Sequence, residues 1–215
     1  MKRAARILIL VLFMVGTGSL VAQDVYFSNW PAGTSPQEVG KRLAEHFATS
    51  PHQYGNITYR EVAAWYGALT FAQLTGDTGL QNHLIKRFDP LLSGGAETNF
   101  IHDERHVDWE IFGVVPLQIA IQTKDPKYLS YGLHFADRQW ENPRPDGLSG
   151  ETQYWIDDMY MLTILQLEAY RATGNRKYLN RDAIEMVAYR DKLQQPNGLF
   201  YHAPDVPFFG GRGDG

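Results

Sequence analysis

Three short stretches of this chain resemble one another at nearly equal spacing. They are Thr75-Gly76-Asp77, Thr123-Lys124-Asp125-Pro126-Lys127-Tyr128-Leu129 and Thr173-Gly174-Asn175-Arg176-Lys177-Tyr178-Leu179, with successive Thr residues 48 and 50 apart. A Leu lies six positions before each Thr, at Leu69, Leu117 and Leu167. Periods in this range belong to solenoids, propellers and arrays. The apolar spacing on either side of each Thr is helical rather than alternating. Runs before the turns are apolar nearly all round, as in Ile156, Met159, Met161, Leu162, Ile164, Leu165 and Leu167, which marks helices buried on most sides. Runs after the turns are amphipathic: Leu80, Leu84, Ile85, Phe88, Leu91 and Leu92 keep helical spacing, and Lys177, Arg181, Glu185 and Lys192 fall on a polar side. Inner and outer helices joined by short Gly or Asp turns form hairpins, and hairpins set in a ring form an α/α toroid.

The expected fold is therefore all-α, with helices near 36–48, 58–74, 78–92, 107–122, 126–140, 154–173 and 176–193. A weak strand signal survives only around Leu199 to His202, after the Pro196-Asn197-Gly198 turn. A closed ring of six hairpins takes roughly 300 residues at this period. The expectation is thus an incomplete N-terminal portion of such a ring, ending in the Gly-rich run from Gly210 to Gly215.

Residues 1–22 carry Lys2, Arg3 and Arg6, an apolar run from Ile7 to Val15, and small residues at Gly16, Gly18, Ser19 and Ala22. This is the pattern of a secretory signal peptide, too short for a comfortable membrane span, and it predicts export to the periplasm or the extracellular space. Its removal leaves 17 Lys and Arg against 24 Asp and Glu, so the remaining domain, 23–215, is mildly acidic. Scattered basic residues supply no stripe for a phosphate backbone, which argues against nucleic acid as a partner. With no Cys, neither disulfides nor thiolate metal sites are available. The 12 Tyr and 5 Trp exceed the needs of a small core and suit sugar-stacking surfaces.

Parallel inner helices bring their N-termini to one end of the ring. Asp108 and Asp158 both lie fifteen positions before their Thr turns, which places carboxyl groups from neighbouring inner helices at one height. Asp157 adjoins Asp158, and because successive helical residues diverge by about 100°, only one of the two faces the funnel squarely. Acidic residues in a first turn also complement the helix dipole, so a structural reading stands beside the catalytic one. Trp109, Trp155 and Tyr160 lie nearby as candidate sugar contacts. His102 and His106 are four apart but lack the Glu of a zincin and a third ligand, and no metal or other cofactor is expected. Arg212, flanked by Gly211 and Gly213, could reach a ligand carboxylate bidentately or belong to a tail.

Four ordered motifs carry a family resemblance. They are His106-Val107-Asp108-Trp109-Glu110-Ile111-Phe112-Gly113, Trp155-Ile156-Asp157-Asp158-Met159-Tyr160-Met161, the stretch from Leu193 to His202, and the terminal Gly-Arg-Gly. Together they resemble glycoside hydrolase family 105, the unsaturated rhamnogalacturonyl hydrolases, related to the unsaturated glucuronyl hydrolases of family 88. In the late motif Gly210 and Asp214 stand where that family carries Trp and Asn. The resemblance implies an (α/α)6 barrel acting on oligosaccharides that end in a 4,5-unsaturated uronic acid. It matches Asp157 to the acid/base, Asp108 to its carboxylate partner, and His202 and Arg212 to substrate contacts. Repeat arithmetic alone favours Asp158 over Asp157. The alternatives are a glucuronyl hydrolase acting on glycosaminoglycan fragments, or a noncatalytic carbohydrate-binding scaffold.

Overall fold

The computed structural model describes residues 29–52 and 55–203. The signal-like segment 1–22 and Arg212 lie outside the described residues. Eight α-helices run in order: α1 (Pro36–Thr49), α2 (Tyr59–Thr75), α3 (Thr78–Phe88), α4 (Val107–Glu110), α5 (Val114–Thr123), α6 (Pro126–Arg138), α7 (Ile156–Thr173) and α8 (Arg176–Leu193). Among the described residues there is no strand; the turn after α8 closes with a single antiparallel bridge between Gln194 and Phe200. Helices α2, α5 and α7 pack side by side as an inner layer, with α3, α6 and α8 paired behind them. The all-α toroid layout of hairpins is thus present. No described helix is long and apolar enough to cross a membrane.

The repeat has a local physical cause. Its second residue ends an inner helix in the left-handed conformation, with φ of 68° at Gly76, 62° at Lys124 and 69° at Gly174. Its third residue caps the following outer helix: Asp77 accepts from Leu80 N–H, Asp125 from Lys127 N–H and Asn175 from Lys177 N–H, at 2.9–3.0 Å. The Lys-Tyr pair that follows reaches back to the preceding outer segment. Tyr128 O–H donates to Asp89 at 2.6 Å with Lys127 at 3.4 Å, and Tyr178 O–H donates to Asp137 at 3.3 Å with Lys177 at 2.9 Å. The second and third units are therefore each stitched to the preceding one by the same two side chains. Curvature is visible across the inner layer, where the Tyr66 hydroxyl of α2 donates to Glu168 of α7 at 3.1 Å.

Two expected helices are interrupted. The run 107–122 splits into α4, a 3₁₀ turn over Ile111–Gly113, and α5. Pro116 has no N–H for the Phe112 carbonyl, so the ladder cannot pass through that point as a regular α-helix. Gly113 also sits where an added Cβ would lie 2.6 Å from Phe135 Cβ, so α6 approaches the backbone closely there. The run 78–92 ends at Phe88 and continues as a 3₁₀ turn through Pro90. The core between the layers is aromatic: Phe88 stacks on Phe112 at 5.5 Å, and Trp65 meets Phe88 edge-on at 5.7 Å while donating its N–H to Leu84 O.

Candidate active site

The N-terminal ends of α4 and α7 bring together most of the residues singled out in the sequence. Asp108 lies in the first turn of α4, and Asp157 and Asp158 lie in the first turn of α7. The chain after α8 folds back over this end. Tyr201 N–H donates to Leu193 O, and Ile156 N–H donates to His202 O at 2.9 Å, which pins His202 to the start of α7. His202 Nε2 then lies 3.4 Å from Asp157 Oδ1, and its ring meets Trp155 edge-on at 5.9 Å.

The two neighbouring aspartates differ in kind. The Asp157 side chain is 47% exposed, whereas Asp158 is 3% exposed and its Oδ2 has no hydrogen-bond partner among the described residues. Burial, reinforced by the charges of Asp157 and Asp108, pushes the Asp158 carboxyl up to about 7. Asp108 is also raised, chiefly by burial; His106 and Arg60 oppose the shift and Asp157 adds to it. Asp158, buried beside the charges of Asp157 and Asp108, thus retains a proton close to neutrality. Tyr160 follows Asp157 by three residues on the same helical face and is likewise 47% exposed.

His106, weighed in the sequence only as a metal ligand, caps α4 instead. Its Nδ1 accepts from Asp108 N–H at 3.2 Å, and its Nε2 lies 3.1 Å from the Gln153 side-chain amide. It thereby links the segment before α7 to the helix that carries Asp108. The signal was available, since a polar ring two residues before an acidic first turn occupies a cap position. Trp109 is half-buried and stacks on His102 at 4.5 Å. Among the described residues no group of three side chains is placed to hold a metal ion.

The segment that delivers Trp155 and Asp157 is tightly held. Tyr154 adopts a φ of 62°, a conformation unfavourable for a residue with a side chain, and packs against Tyr189 at 5.2 Å. Glu185 corrects an expectation, because it lies fully buried rather than on a solvated face of α8. Its carboxylate accepts from Ser149 N–H at 2.6 Å and from the Thr152 hydroxyl at 3.0 Å, fastening this segment to α8. A polar residue at helical spacing cannot be told from sequence to be a buried anchor. A groove of roughly 570 Å³ elsewhere runs between α1 and α2, lined by Leu43, Phe47, Ala64 and Phe71, and none of the three aspartates lines it.

Comparison with protein families finds that the model of glycosyl hydrolase family 88 matches residues 37–207. The chain belongs to family 88. The match spans both inner helix ends described above as well as His202. Comparisons with curated proteins and with solved structures gave no match. Membership makes this family 88 chain a glycoside hydrolase of the unsaturated uronyl type.

Proposed function

We propose that this family 88 protein is exported and removes 4,5-unsaturated galacturonic acid from rhamnogalacturonan oligosaccharides, as the family 105 resemblance implies. The observation that carries the reading is the half-exposed Asp157, with His202 against it, the buried Asp158 beside it and the half-buried Asp108 close enough to feel its charge. The substrate is a vinyl ether. Asp157 donates a proton to C4, developing positive charge at C5 and the ring oxygen. Water adds at C5 and gives up a proton to the carboxylate; the hemiketal then opens and the neighbouring sugar leaves. Protonating carbon near neutral pH requires a carboxyl at the site that holds a proton there, and burial beside the charges of Asp157 and Asp108 keeps Asp158 protonated next to the donor. Asp108 serves as the carboxylate partner, and Trp155, Tyr160 and Trp109 offer ring faces to the sugar. His202 and Arg212 contact the substrate.

A second reading, glucuronyl hydrolysis of glycosaminoglycan fragments, is favoured by the family 88 match itself. Lyase-generated unsaturated disaccharides of both kinds separate the two. The proposal expects loss of the double bond's ultraviolet absorbance to be faster on the rhamnogalacturonan substrate. Loss only on the glycosaminoglycan substrate would establish the second reading. Binding without turnover on either would leave a carbohydrate-binding scaffold.

A further inference from the structure

The elements that carry the aspartates also hold a second acidic pair that the reaction does not use. Glu110 follows Asp108 by two residues in α4 and is fully buried. Glu151 belongs to the segment leading into α7, six residues before Asp157. The two carboxyls lie close enough for each to shift the other's ionisation. Among the described residues, no hydrogen-bond donor reaches Glu110 Oε2 or either Glu151 oxygen, and all three atoms are enclosed. Two adjacent enclosed carboxylates cannot both be charged there at modest cost, so the arrangement calls for one of them to hold a proton.

The surrounding charges do not remove that need. From α6, Arg138 pairs with Glu110 Oε1 at 2.6 Å and with Asp103 at 3.3 Å. From the segment before α4, Arg105 pairs with Glu141 at 3.3 Å and donates to Arg138 O. Both cations favour ionisation of the pair, yet burial outweighs them: Glu110 is raised, and Glu151, with the charge of Glu110 added, is pushed up to about 8.

We propose that Glu151 is a positioning residue for the site. By sharing a proton with Glu110, it locks the segment that delivers Trp155 and Asp157 onto the helix that carries Asp108. Removing the proton sets two buried charges against each other and loosens the join between the two halves of the site. The role rests on the function proposed above, but the lock itself does not.

Two measurements on the full chain test it. In the first, kcat and KM on the unsaturated disaccharide are followed against pH for wild type, Glu151→Ala and Glu151→Gln. The Ala variant loses kcat about tenfold or more with a smaller change in KM, as expected for a residue that orients another. The Gln variant, which can still donate to Glu110, restores most of that loss at pH 6 and moves the alkaline limb of the profile. In the second, melting temperature is followed against pH without substrate. A raised carboxyl stabilises the fold below its unfolded pKa, and that contribution fades as pH climbs from about 4.3 towards the folded value. Wild type therefore loses more stability between pH 5 and pH 8 than Glu151→Gln does. Identical melting slopes, or a Gln variant no better than Ala, would overturn the proposal. If wild type turns over neither disaccharide, the functional reading falls and the melting comparison still decides the lock.

Discussion

Helices α5 and α6 cross where two glycines meet, and this contact makes a quantitative prediction. A Cβ added at Gly132 would lie 2.5 Å from Leu117 Cγ, 2.9 Å from its Cδ2 and 3.0 Å from the Gly113 carbonyl oxygen. Leu117 is fully buried and has no room to turn away. In an open helix, Gly→Ala contributes about 1 kcal/mol in favour of folding. Forcing a methyl into a filled crossing costs about 1–3 kcal/mol, and contact with a backbone oxygen places this site near the upper end. Gly132→Ala should therefore destabilise by about 2 kcal/mol net, or roughly 4–8 °C in Tm for a domain of this size. Gly67 in α2 is the internal control, since an added Cβ there meets nothing within 4 Å. Gly67→Ala should raise Tm by roughly 2–4 °C. Thermal melts of both variants read the difference. A Gly132→Ala variant as stable as wild type would refute the close approach of α6 to the backbone at Gly113.

Two further outcomes follow from the geometry. Lys124 holds the left-handed cap that Gly fills in the flanking repeats, so Lys124→Gly should stabilise by roughly 1 kcal/mol, measured as a higher urea midpoint at unchanged slope. Asp158 contributes to stability while neutral; that contribution is complete below about pH 4 and fades as pH rises towards its folded value of about 7. Urea titrations should therefore show Asp158→Asn with a shallower decline over that window and greater stability than wild type at pH 8.

The repeat was a strong guide because each of its residues performs a local task. A left-handed cap, an N-cap and a Lys-Tyr pair reaching an Asp of the preceding unit are set by short-range geometry, so α2, α3, α6, α7 and α8 were legible from it. The register of the site was less so. Counting fifteen residues back from each Thr aligns Asp108 with Asp158, but the 3₁₀ turn at Ile111–Gly113 lies inside one of the two counts. Tighter winding there rotates Asp108 about the helix axis relative to an unbroken helix. In the structure it is Asp157 that is exposed, beside His202, and Asp158 that is buried. The buried acids Glu110, Glu151 and Glu185 were invisible for a different reason. Their burial depends on the path of residues 141–155, which carry no periodic signal.

Turnover of Asp157→Asn against that of Asp158→Asn decides whether Asp157 is, as proposed, the group that protonates the substrate carbon. Asp157 faces solvent, while Asp158, 3% exposed, can act only through its neighbours. On the unsaturated disaccharide, Asp157→Asn should lose several orders of magnitude in kcat, more than the 10²–10⁴-fold typical of a general acid or base alone, roughly speaking. Asp158→Asn should lose far less and show a shifted pH profile. A larger loss for Asp158→Asn would contradict the assignment.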